Sequence, residues 1–186
     1  FPNGPNNLNN PNNPSLMIGI FDSGIGGLSV AREVVKALPG YKILYFGDTA
    51  RLPYGNKGAE TIIKFSLEDA AFLQKHGASV MVMACNTASS VAAEAVKKAI
   101  SLPIFEVITP AVDQAIKVTK NKKIGVLGTY ATVGSGVYER LLKEQGSFEV
   151  FVRPAPLLVP LVEEGWLDKP ETKRIVKHYL RPLLQK

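Results

Sequence analysis

A single cysteine, Cys85, ends the apolar run SVMVMAC (79–85) and stands directly before Asn86, Thr87 and the amphipathic run ASSVAAEAVKKAI. If a strand gives way to a helix at that point, the sulfur lies beside unpaired backbone N–H groups and the positive end of a helix dipole. Such a place favours an anion, so the expectation is a lowered thiol pKa and a thiolate available near neutral pH as a base or nucleophile. The plainer alternative is a cysteine that only fills the core, since cysteine is among the most often buried residue types. Its neighbours weigh against that alternative. Asn86 and Thr87 can cap the helix or donate hydrogen bonds to a carboxylate, and Asp22 and Ser23, which follow MIGIF (17–21), would lie across an adjacent strand end. A thiolate, a carboxylate and several donors in one place is the equipment of general acid and base chemistry.

Two further turns carry polar groups after a strand-like run: Asp48 with Pro53, Tyr54 and Gly55, and Thr129 with Thr132. In open parallel α/β sheets, ligands sit off the carboxyl ends of the strands, so all four turns are expected to converge on one crevice. The first of them, DSGIGG (22–27), opens like a dinucleotide fingerprint with Gly24 and Gly26, but the third position is Ser29, and no Walker motif is present. A nucleotide-binding α/β domain is therefore the weakest of the competing readings. His76, before Gly77, and His178, in a charged terminal run, are expected to be structural or solvated. Trp166 is expected at a core edge, and Lys97, Lys98 and the lysines of 120–123 on exposed faces.

The elements that must position these groups alternate in type. Strands are expected at 17–21, 42–48, 79–85, 103–108, 123–129 and 148–155, where short apolar runs are bounded by turn residues. Helices are expected at 28–38, 59–75, 88–100, 110–118 and 132–145, with helical runs over 157–165 and 170–186. The alternation predicts an α/β protein made of two doubly wound parallel-sheet domains, 17–105 and 106–186, with the site in the crevice between them. Residues 1–16 hold seven Asn and four Pro and are expected to be a disordered tail. The 186 residues, 46% of them hydrophobic, suffice for a sizeable core, and one cysteine excludes an intramolecular disulfide or a Cys-based zinc cluster. A net charge of +6 spread along the chain favours an anionic ligand without indicating nucleic acid. No run approaches the length of a membrane span, so the expected location is the cytoplasm with no membrane partner.

Taken together, IGIFDSGIGGLSV, FGDTARLPYG, MACNTAS and GTYATVGSGVYE, in this order and at these separations, resemble the glutamate racemases of the aspartate/glutamate racemase superfamily. The resemblance covers nearly all of 17–186. It implies cofactor-independent, metal-free racemisation of L- and D-glutamate by two cysteines on opposite faces of the α-carbon, supplying D-glutamate for peptidoglycan, in an enzyme that is commonly a homodimer. By motif, it makes Cys85 one of the two acid/base groups and has Asp22 and Ser23 contact the substrate's amino group and tune the thiol. It has Pro53, Tyr54 and Gly55, Asn86 with Thr87, and Thr129 with Thr132 hold the carboxylates. The sequence departs from the family in one respect. The second motif, of the form GCTHYP, which supplies the other cysteine and a histidine, is missing. The expectation is a truncated chain with one of two bases and an incomplete first domain. Aspartate or another acidic amino acid as substrate, or a fragment that binds an acidic amino acid without turnover, are the alternatives.

Overall fold

The computed structural model describes residues 16–185. The expected tail falls outside them except for Leu16, which is buried against the core. The first strand, β1 (Met17–Asp22), is buried from Ile18 to Asp22, as a strand covered on both faces should be. Ile18 and Ile20 pack with Ala31 of helix α1 (Leu28–Ala37) on one face of the sheet. Phe21 turns to the other face, where it joins Leu73 of α2 (Ala59–Lys75), Met81 and Met83 of β3 (Val80–Met83), and Ala88, Ala92 and Val96 of α3 (Asn86–Ala99). With β2 (Lys42–Gly47) and β4 (Ile104–Glu106), these strands form a parallel sheet in the order β2-β1-β3-β4.

That order fixes where a ligand can sit. The chain leaves β1 to form β2 on one side and returns to form β3 on the other, so the sense of winding reverses at β1 and a crevice opens at its carboxyl end. Asp22 and Ser23 stand at that end, with Asp48 just past β2 and Cys85 just past β3.

A second parallel pair, β5 (Lys123–Gly128) and β6 (Glu149–Pro154), runs in register from Lys123 opposite Glu149 to Gly128 opposite Pro154. Its core is Ile108 and Val112 of α4 (Ile108–Val118) with Leu142 of α6 (Val137–Gln145), packed on Ile124 and Val150. Two shorter helices, α5 (Tyr130–Gly134) and α7 (Leu158–Glu163), precede the terminal α8 (Pro170–Leu180). Trp166 is half exposed, and its backbone joins α7 to α8: its N–H donates to Leu161 O at 2.8 Å, and its carbonyl accepts from Thr172 Oγ1 at 2.6 Å.

Three local expectations give way, each for a visible reason. The strand expected over 103–108 stops at Glu106, because the Glu106 carboxylate accepts from Ile108 N at 2.5 Å and Thr109 N at 3.0 Å and so starts α4 early. The helix expected over 132–145 is two helices, broken where Gly136 takes φ +66°, a left-handed conformation that glycine adopts without a steric penalty. Asn86 and Thr87 do not cap α3. Cys85 does, with its sulfur accepting from Ala88 N at 3.4 Å.

Candidate functional site

Cys85 sits at the junction of β3 and α3 and is 5% exposed. Its thiol donates to Ser23 Oγ, 3.4 Å away across the end of β1. The sequence leads one to expect a lowered thiol pKa, and the structure shows the opposite. Burial is the main cause and the charge of Asp22 the next; together they push the thiol up to about 11, against the hydrogen bonds that Ser23 and the Ala88 N–H would donate to a thiolate, which act to lower it. The sulfur is therefore held as a protonated thiol. Alkylation of Cys85 by iodoacetamide in the ligand-free chain is expected to rise with pH around a midpoint near 11. A plateau already reached at neutral pH would contradict this electrostatic picture.

Asp22 is buried, and its Oδ2 accepts from Gly24 N and Gly27 N at 3.0 Å each, which shapes the DSGIGG turn from within. The turn is also gripped from outside. Tyr45 of β2 donates its hydroxyl to Gly24 O at 3.1 Å, and Glu163 at the end of α7 accepts from Ile25 N at 3.1 Å. Burial and the charges of Asp22 and Glu163 keep Tyr45 protonated, so its role there is that of a donor.

The threonines meet across the two sheets. Thr87 Oγ1 lies 3.0 Å from Thr129 Oγ1 and 3.4 Å from Thr132 Oγ1, and the last two are 3.0 Å apart. Thr129 caps α5 by accepting from Thr132 N at 3.1 Å. Three hydroxyls from the β3-α3 and β5-α5 turns thus satisfy one another, and a ligand carboxylate could accept their hydrogen bonds instead. Asn86 accepts from Tyr138 of α6 at 2.6 Å, a second link between the two halves. Burial and the charge of Glu106 push the Tyr138 phenol up to about 12, which keeps it a donor.

Pro53, Tyr54 and Gly55 form the remaining wall, around a single 3-10 turn (Tyr54–Asn56) that follows a cis Leu52–Pro53 bond. Gly55 lies flush on Thr129: a β-carbon there would stand 2.5 Å from Thr129 Cβ. The Tyr54 side chain points the other way. It is 1% exposed, and its hydroxyl meets Asp48 and Asp69, so a contact from Tyr54 to a ligand in the crevice falls to its backbone.

Asp22, Ser23, Cys85, Thr87, Thr129, Thr132 and Gly55 are thus brought together, with Asn86 tied at the rim. The sequence reading missed Glu163, Tyr45, Tyr138 and the Arg51–Asp69 pair beneath the Tyr54 turn. Glu163 carries no signal of its own at the end of an apolar helix. Arg51 does, as a charged residue three positions after Asp48 in the loop DTARLPYGNKG. Among the described residues no cluster of His, Cys, Asp and Glu could hold a metal ion, and no helix is long and apolar enough to cross a membrane.

The family model for Asp/Glu/Hydantoin racemase matches residues 18–186, an interval that contains every group described above. The chain belongs to that racemase family. A glutamate racemase of Persephonella marina is 50% identical over 171 residues, which span 92% of this chain and 66% of that protein. The crystal structure of a glutamate racemase isoform from Bacillus anthracis matches with a TM-score of 0.88 at 39% identity, over 93% of this chain and 65% of that one. The glutamate racemase of Francisella tularensis in complex with D-glutamate matches with a TM-score of 0.84 at 36% identity, over 90% of this chain and 64% of that one. This member of the racemase family therefore spans a little under two thirds of the length of these relatives. Its α/β architecture with parallel sheets is theirs.

Proposed function

We propose that this chain carries one half of a cofactor-independent glutamate racemase site, with Cys85 as one of two thiol acid/base groups. The observation that carries the reading is the meeting of Cys85, Ser23 and the threonine hydroxyls at one set of strand ends, with Asp22 behind the sulfur. Family membership supports it further.

The chemistry needs each of these parts. An α-proton beside a carboxylate and an ammonium is very weakly acidic, so a base must be placed accurately and fixed donors must stabilise the charge that develops. In this reading the Cys85 thiolate takes the α-proton on one face, leaving the electron pair of the C–H bond on the α-carbon and its carboxylate. An acid on the opposite face then returns a proton with inversion. The substrate ammonium, placed against Asp22 and Ser23, offsets the Asp22 charge, which after burial is the next cause of the raised thiol pKa. Binding thereby eases deprotonation of Cys85. Thr87, Thr129 and Thr132 exchange their mutual hydrogen bonds for a carboxylate, and Asn86, Pro53, Gly55 and the Tyr54 backbone complete the enclosure.

The same reading divides the chain into units 17–105 and 106–186 and takes the ligand to be a free small molecule. It assigns the enzyme a homodimeric form in the cytoplasm and a role in supplying D-glutamate for peptidoglycan. One cysteine in the chain keeps a second reading in play, binding of an acidic amino acid without turnover.

Saturating D- or L-glutamate is expected to protect Cys85 from alkylation at alkaline pH, and aspartate to protect it less. Better protection by aspartate would move the assignment to an aspartate racemase. No protection by either amino acid would overturn the reading of the site.

A further inference from the structure

The wall of the site between β2 and α2 has little secondary structure to hold it, only the 3-10 turn at Tyr54–Asn56. Beneath that turn lies a compact polar cluster. The Arg51 guanidinium places Nε 2.7 Å from Asp48 Oδ2 and Nη2 2.7 Å from Asp69 Oδ1, and its third edge meets Glu68. Its plane lies over the Phe65 ring, 4.3 Å from the centroid. The Tyr54 hydroxyl meets Asp48 Oδ2 on one side and Asp69 Oδ2, at 2.8 Å, on the other.

A count of protons decides how this cluster is held. Tyr54 has one hydroxyl proton and faces two carboxyl groups, so it can donate to one of them only. The other contact holds if that carboxyl carries a proton and donates it to the tyrosine oxygen. Asp48 Oδ2 already accepts from Arg51 and is the natural anion. Asp69 Oδ2 faces the tyrosine, and Asp69 is 1% exposed on the helix that packs against the sheet. Charge leads to the same assignment. Three carboxyl groups surround one guanidinium, and neutralising the most buried of them removes the largest desolvation penalty.

We propose that Asp69 is a positioning residue that holds the Pro53-Tyr54-Gly55 wall against Thr129 through a proton shared with Tyr54, and that the hold loosens when Asp69 loses that proton. The proposal rests on the reading of the crevice as an amino-acid site for its effect on ligand binding, but not for the hold itself. The titratable and charged groups that face Asp69 are Asp48, Arg51 and Tyr54 from the loop and Glu68 from α2. The buried residues of α3 in the same core, Ala88, Ala92 and Val96, carry no charge. Burial first, then the charges of Asp48 and Glu68, raise the Asp69 carboxyl to about 7, against the opposing effects of Tyr54 and Arg51. Tyr54 is itself pushed far up by burial and by its contacts with Asp48 and Asp69, so it stays a donor. The folded pKa of Asp69 lies above its ordinary value of 3.8, so its contribution to holding the loop is complete in acid and is lost as pH rises through about 7.

The test is nuclear magnetic resonance on the isotopically labelled full chain without ligand, titrated between about pH 5 and 9 and following the Asp69 side-chain carboxyl carbon and the Gly55 amide. Both signals are expected to titrate together with a midpoint near 7. In Asp69→Asn, the amide donates to Tyr54 and its oxygen accepts from Arg51, so the Gly55 signal is expected to stay flat. Glu68→Gln removes a charge that raises the Asp69 pKa and is expected to move the midpoint down, which keeps the test decisive if Asp69→Asn folds poorly. In the same samples, D-glutamate affinity is expected to weaken with the Gly55 titration in the wild type and to be pH-independent in Asp69→Asn. A flat Gly55 signal in the wild type, a carboxyl that titrates in the ordinary range, or a Gly55 titration unchanged in Asp69→Asn would overturn the proposal. Joint titration without glutamate binding at any pH would uphold the shared proton and overturn only the reading of the crevice as a glutamate site.

Discussion

Cys85→Ala is expected to abolish exchange of the glutamate α-proton with solvent while leaving glutamate bound. The sulfur is the group that would carry the proton. A positioned acid or base contributes roughly 10²–10⁴-fold to such a step, and alanine leaves nothing at that position to take the proton. Binding should survive, because the proposed carboxylate contacts come from Thr87, Thr129 and Thr132, whose mutual hydrogen bonds do not involve Cys85. Cys85→Ser separates chemistry from folding more cleanly. The side chain of residue 85 caps α3 through Ala88 N, and serine is a preferred residue at a helix N-cap. The serine variant is therefore expected to melt no lower than the wild type and still to lose exchange, since a hydroxyl is a far weaker acid than a thiol. Loss of exchange accompanied by loss of the cooperative melt would point to a structural role for the sulfur instead.

Gly55→Val is expected to eliminate glutamate binding and to destabilise the fold. A β-carbon at this position would stand 2.5 Å from Thr129 Cβ and 3.0 Å from Thr129 Oγ1, well inside ordinary contact. The loop or the threonine has to move, and either motion parts Thr129 from Thr87. Overpacking of this kind typically costs about 1–3 kcal/mol, and the loss of the carboxylate donors adds to the effect on binding. Gly58→Ala is the matched control. Gly58 has φ −67°, and a β-carbon there meets nothing within 4 Å, so that variant should bind and melt as the wild type does. Isothermal titration with D-glutamate and a thermal melt on the three proteins decide the matter.

The elements were legible wherever a strand is buried on a helix-covered face. Ile18, Ile20 and Phe21 announce β1, and the four turns that end strands could be placed at one crevice by topology alone. What escaped the sequence were effects that depend on which side chain reaches which backbone group. Glu106 ends its own strand by bonding to Ile108 and Thr109, and the break at Gly136 shows only in its backbone conformation. The cap at Cys85 rather than Asn86 or Thr87 is of the same kind. The thiol pKa was expected to fall because a helix terminus is visible in sequence; the burial of the sulfur is not, and the charge of Asp22, which the sequence does place at the neighbouring strand end, acts in the same upward direction. Tyr54 was placed in the site by its motif, yet the hydroxyl answers to Asp69, fifteen residues further on. Glu163 reaches Ile25 across 138 residues, a separation at which no local pattern helps.

The most direct measurement is α-proton exchange. The folded chain is incubated separately with D- and L-glutamate in D₂O, the α-proton is followed by nuclear magnetic resonance, and optical rotation is recorded alongside. With Cys85 as the one cysteine of the chain, exchange of one enantiomer without inversion is expected, and Cys85→Ala should remove it. No exchange of either enantiomer, from a chain that is folded by circular dichroism and saturated with glutamate, would contradict the assignment of Cys85 as the base.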